Sequence, residues 1–273
     1  MKTTIRKYIL PVVSAAVLIV TVSSCSKDNY YKDGGTVDPH FKGTILQYLQ
    51  SNPQFDTIAK IVHLAGMDTL FSTTKQTLTF FAPTDEVIRT TIGAVHTTVP
   101  DLQGGPGYTA LNQILFNAGK DTIQTLDEIP AATWRKYLMR YVFKGSYLLK
   151  DYPQLDFTLR PLFPGGYYQG YNGDLANIGV VYATANTVRY SGYRQLCIAS
   201  VTDPGNPQNY YNGAAAVSSS DIQPTNGVIH TLAIYFSGVT STPNLTGELQ
   251  VNPIMSNLFG MSMDFDNEIL LNR

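Results

Sequence analysis

Charge is scarce in this 273-residue chain: Asp, Glu, Lys and Arg make up 14% of it, and the formal net charge is −1. No basic stripe exists to neutralise a phosphate backbone, so no nucleic acid is expected as a partner. Cysteine is scarcer still, with only Cys25 and Cys197. No CxxC pair, HExxH helix or acidic calcium loop occurs, and neither a structural metal nor a cofactor is expected. No GxSxG elbow precedes a helix, and Gly104-Gly105-Pro106-Gly107 lacks the Lys-Ser/Thr of a phosphate loop. Asp85 and Glu86 are neighbours at a helix start, a poor match to the separation of about 5 to 10 Å between paired glycosidase carboxylates. Helix capping and the helix dipole explain them more simply. No catalytic residue is assigned, and enzymatic activity is not expected.

What the chain does have begins at its N-terminus. Lys2, Arg6 and Lys7 flank an uncharged apolar run from Tyr8 to Val22, followed by small residues and Cys25. This is the layout of a secretory signal. The run is shorter than the roughly 20 apolar residues of a membrane-spanning helix and contains Pro11. Val22-Ser23-Ser24-Cys25 resembles the lipobox of bacterial lipoproteins, which implies cleavage before Cys25 and diacylation there, the double signal that stable anchoring requires. By the same resemblance, Ser26 in place of an aspartate favours the outer membrane of a Gram-negative bacterium. Lys27-Asp28 is similar in part to a surface-export signal. The expected layout is a signal peptide over 1–24 and a flexible tether over 25–40, with the membrane engaged through the lipid. Cys197 lies in the apolar run Arg194–Ala199 and reads as a buried thiol. Roughly 250 residues remain after the signal, enough for one large domain or two small ones, and a second domain is not required.

Between Thr44 and Phe71, Ile45, Leu46, Tyr48 and Leu49, then Phe55, Ile58, Ile61, Val62 and Leu64, fall at helical spacing. Asn52-Pro53 opens the second helix and Gly66 closes it. His63 is expected partly buried and hydrogen-bonded there. Gln76 to Ala82 is rich in Thr and Phe and predicts a buried strand. Pro83-Thr84-Asp85-Glu86 ends it, with Thr84 or Asp85 placed to accept N–H bonds from the helix that follows. A further helix is predicted over Tyr108 to Phe116.

Two segments carry a family resemblance. Leu78-Thr79-Phe80-Phe81-Ala82-Pro83-Thr84-Asp85-Glu86-Val87 resembles the first signature of the fasciclin (FAS1) domain. Ser220-Asp221-Ile222-Gln223-Pro224-Thr225-Asn226-Gly227-Val228-Ile229-His230 resembles the second, with Asn226-Gly227 forming a turn between strands. The resemblance spans 41–238 and implies an α+β fold: a fasciclin-like β-wedge of mixed strands packed against several helices, with loop insertions. It also implies a role in adhesion and a structural role for His230. Arg140-Tyr141 stands where the family usually has the Tyr-His pair tied to receptor adhesion, which weakens that particular mechanism here. The segment 239–273 is left as an unassigned C-terminal extension that packs as an added strand or helix.

Three stretches exceed the family's usual length: Ile92 to Ala131, Gly165 to Asp174 and Asp203 to Gly213. The last two are rich in turn residues and tyrosines. Loop insertions on a stable scaffold are common binding sites. Tyr167, Tyr168, Tyr171, Tyr210 and Tyr211 are therefore the candidate ligand-binding residues, each ring offering a flat apolar face and a hydroxyl. The alternative is that these rings pin the loops to their own domain. The expected partner is a polysaccharide or a surface protein. The competing expectation is a structural or partner-binding subunit of an outer-membrane transport or envelope complex.

Overall fold

The computed structural model describes residues 38–93, 110–201, 203, 205, 214–233 and 259–273. The first elements follow from local chemistry. Thr44 and Gln47 form a reciprocal cap, Thr44 Oγ1 accepting from the Gln47 amide at 3.3 Å and Gln47 Oε1 from the Thr44 amide at 2.8 Å. They start helix α1 (Ile45–Ser51), which buries Ile45 and Leu49. Asn52 caps a 3-10 turn over Pro53–Phe55, which runs into α2 (Asp56–Leu64), burying Ile58, Ile61 and Val62. Gly66, at φ +64, takes the left-handed position past the helix end that a side chain would strain. A short α3 (Asp68–Ser72) follows and inserts Phe71 into the core. His63 departs from expectation: its side chain is 79% exposed, with Nδ1 3.2 Å from Asp68. It sits on the outer face of α2, away from the Ile58–Ile61–Val62 stripe.

A two-residue strand β1 (His40–Phe41) precedes these helices, and β2 (Leu78–Ala82) follows them with every residue buried. Helix α4 (Asp85–Ile92) begins after Thr84, whose side chain makes no capping bond. The expected local cap is replaced by a distant one: Asp85 Oδ1 accepts from the amides of Thr57 and Ile58 at 2.9 and 3.3 Å, capping α2. The reason lies in α2, whose own N-cap residue, Phe55, has no acceptor in its side chain.

Helix α5 (Leu111–Asn117) overlaps the predicted helix, and α6 (Ala131–Leu138) continues through a 3-10 turn over Met139–Tyr141 into β3 (Val142–Lys144). The remaining strands are β4 (Gly166–Gln169), β5 (Leu175–Tyr182), β6 (Arg194–Val201), β7 (Ala214–Pro224) and β8 (Gly227–Leu232). Among the described residues they form one mixed sheet in the order β3-β2-β8-β7-β6-β5-β4, with β1 laid parallel on β7. His40, read from sequence as tether, is thus paired with Gln223. The Tyr171 amide, just past β4, donates to the Val142 carbonyl of β3 at 2.7 Å. The two ends of the strand order therefore approach each other and the sheet curls. The architecture is α+β, with mixed strands packed against several helices.

Helix α7 (Asp264–Asn272) closes the chain. Phe259 and Phe265 are fully buried against Trp134, with ring centroids 5.4 and 5.5 Å away, and Tyr137 meets Phe265 edge-on at 5.3 Å. Burying each such ring contributes about 2–3 kcal/mol. These residues belong to the same apolar core as α1, α2 and β2.

Candidate binding surface

The two segments that resemble fasciclin signatures lie side by side. Strand β2 pairs in parallel with β8, from Leu78 opposite Gly227 to Ala82 opposite Thr231. A Cβ at Gly227 would sit 1.9 Å from the Leu78 carbonyl oxygen, so only glycine permits this approach. Asn226 joins three elements: its Oδ1 accepts from the Ile45 amide at 2.7 Å, and its Nδ2 donates to the Phe71 and Thr73 carbonyls at 2.9 Å. His230 is fully buried, with Nε2 2.9 Å from the Tyr147 carbonyl and Nδ1 3.3 Å from the Asp221 amide. That pattern fits the neutral Nε2–H tautomer, and burial lowers its pKa to about 4. Thr79 Oγ1 donates to the Gly145 carbonyl and accepts from the Tyr147 amide. Asn226, His230 and Thr79 are thus spent on internal bonds.

Of the five candidate tyrosines, three fall in the described residues. The stretch predicted as loop is partly strand: Gly166–Gln169 is β4, paired antiparallel with β5. Alternation along a strand sends Tyr167 and Tyr168 to opposite faces. Tyr168 packs edge-on against Tyr152 and Tyr147, at 5.3 and 5.9 Å, and burial raises its hydroxyl pKa. Tyr152 in turn meets Phe81 and His230, at 6.2 and 6.1 Å. Tyr167 is 42% exposed on the other face. Tyr171 lies beyond the strand, where its hydroxyl accepts from Gln76 Nε2 at 3.2 Å and Lys144 Nζ stands 5.1 Å from the ring centroid. It lines a cleft of about 590 Å³ between α3, the loop into β2, and Arg135 of α6. Tyr210, Tyr211, His96 and Cys25 lie outside the described residues.

Arg140-Tyr141 turns out to hold the C-terminal segment, a role the sequence reading missed. Arg140 Nη1 donates to the Gly260 carbonyl and Ser262 Oγ, both at 2.9 Å, and Nη2 to Asp264 at 3.1 Å. Its guanidinium carbon lies 4.7 Å from the Tyr137 ring centroid. Tyr141 Oη accepts from the Gly260 amide at 2.7 Å. A positive residue 124 positions before Asp264 carries no local signal of that pairing.

Other titratable groups have structural settings. Cys197 is buried on β6, its thiol pushed up to about 12 by desolvation. Glu86 is bridged by Arg89, which holds its carboxyl below the usual range. Asp266 on α7 is 2% exposed with neither carboxylate oxygen hydrogen-bonded, and burial raises its pKa to about 8. Among the described residues no three His, Cys, Asp or Glu side chains are grouped to hold a metal, and no helix is long and apolar enough to cross a membrane.

No protein-family model and no curated protein matches the chain. Among solved structures it is similar to the FAS1 domain pair of the insect cell adhesion molecule Fasciclin I, at 14% identity and a TM-score of 0.41. That match covers 70% of this chain and 49% of the other, so the chain spans about half the length of the pair.

Proposed function

We propose that the chain is a non-enzymatic binding module of the cell envelope, held at the outer membrane by a lipid on Cys25 and engaging a polysaccharide or surface protein. The observation that carries this reading is the in-register pairing of β2 with β8. Asn226, Thr79 and His230 are committed there to internal bonds, as in a scaffold, and the insertions are left to supply contact. Of the five candidate tyrosines, Tyr167 and Tyr171 are the described ones with surface to offer, and Tyr210 and Tyr211 remain candidates beside them. The test has two arms. Cell fractionation should find the wild-type chain with outer membranes and Cys25→Ala released, its thermal midpoint unchanged. A glycan array, followed by calorimetry, should give saturable binding weakened about tenfold or more in Tyr171→Ala. Turnover of a bound glycan, or membrane retention of Cys25→Ala, would overturn the proposal.

A further inference from the structure

Resting on that reading, and narrowing its ligand, we infer that the cleft beside Tyr171 is a binding site for a carboxylate-bearing saccharide. Its volume of about 590 Å³ lies within the roughly 300–1,000 Å³ of small-ligand sites. Two cations, Lys75 and Arg135, line it together with the hydroxyls of Thr69, Ser72 and Thr73, and among the described residues no carboxylate does. Arg135 Nη1 is directed at the Ala65 and Gly66 carbonyls at 3.4 and 3.3 Å, neutral acceptors that orient the guanidinium without cancelling its charge. No ion pair engages Lys75 or Arg135 among the described residues. A planar guanidinium matches a carboxylate through two parallel N–H bonds, and Lys75 adds a point charge.

The rest of the lining suits a sugar better than a peptide. Among the described residues Leu70 is the one aliphatic side chain lining the cleft. The rest of its carbon surface comes from the Lys75 and Arg135 stems, threonine methyls and the Tyr171 ring, the kind of surface on which the C–H face of a sugar packs. Hydroxyl and amide groups match the alternating donors and acceptors of a pyranose. Tyr171 Oη accepts from Gln76 and keeps its own proton to donate to a ligand oxygen. The Tyr171 amide bond to Val142 fixes the backbone that carries the ring, so the site is held by the closure of the sheet and not by a free loop.

The test is calorimetry on the full chain in mild detergent, with tetragalacturonate and its methyl ester as ligands. The acid should bind and the ester should bind about tenfold more weakly or not at all. Raising salt from about 50 to about 500 mM should weaken the acid further, since the cations are exposed. Arg135→Gln and Lys75→Gln should each cost about tenfold with circular dichroism unchanged; Lys75 serves as the cleaner variant because its ammonium makes no internal bond among the described residues. Equal binding of acid and ester, or acid binding indifferent to both substitutions, overturns the assignment. Binding of neutral glycans alone would overturn it while leaving the polysaccharide reading intact. No sugar bound, with a discrete protein recovered from envelope extracts, would overturn it and move the wider reading to its protein ligand.

Discussion

At the scale of the residue, two buried titratable groups set opposite pH limits. His230 is held neutral, with a folded pKa of about 4 against an ordinary 6.5. The stability it contributes is complete above pH 6.5 and is lost as pH falls toward 4, because only the unfolded chain binds the proton. Asp266 is the reverse case, its folded pKa of about 8 standing above an ordinary 3.8. Its contribution is complete below about pH 4 and declines until pH passes 8, because over that range the folded chain keeps a proton the unfolded chain has released. Between pH 4 and 6.5 the two trends oppose each other; between 6.5 and 8 the Asp266 decline stands alone. Thermal midpoints of wild type should therefore fall from pH 6.5 to 8, and Asp266→Asn should flatten that slope. A slope unchanged in the variant would show that another group causes it. His230 was legible as structural from its place in a signature; Asp266 was not, because its burial depends on α7 docking, which no local pattern encodes.

At the scale of the element, the three N-terminal helices are joined to the sheet by a few long-range bonds, and their weight is measurable. Asn226→Ala removes three bonds and leaves a buried amide and carbonyls without partners, so chemical denaturation should show a loss of about 2–4 kcal/mol. Asp85→Ala strips the cap from α2 and should cost about 1–2 kcal/mol, whereas Thr84→Ala should cost much less, since Thr84 caps nothing. Equal losses in the two variants would contradict that assignment. Helices α1 and α2 and strand β2 were readable because apolar spacing and Asn-Pro or Gly punctuation are local properties; α3, of five residues, is too short to show such spacing. Asp85 misled because a carboxylate at a helix start satisfies the rule for its own helix while its actual acceptor role lies 28 residues back. Tyr167 and Tyr168 were read as loop because glycines surround them; pairing with β5, a tertiary event, made that stretch a strand.

At the scale of the whole molecule, the C-terminal fifteen residues are part of the body they cover. Deleting residues 259–273 would expose Trp134, Tyr137 and Tyr141, and the truncated chain should unfold at lower denaturant and bind a hydrophobic dye. Arg140→Met should lie between truncation and wild type, losing about 1–2 kcal/mol because the Gly260 carbonyl and Ser262 hydroxyl are left without their donor, while the half-exposed Asp264 turns to water. An Arg140 variant as stable as wild type would mean the ring contacts alone hold the segment. The apolar residues Phe259, Met261 and Phe265 hinted at this burial, but what they pack on was set by the α6 ring surface. The closing contact between Tyr171 and Val142 has a further consequence. Open strand edges invite neighbouring copies to add their own strands, and the terminal strands here are short, β3 of three residues and β4 of four, with one tied at Val142. Edges this short, one of them tied back on the molecule, offer a neighbouring copy little free backbone to extend into a shared sheet.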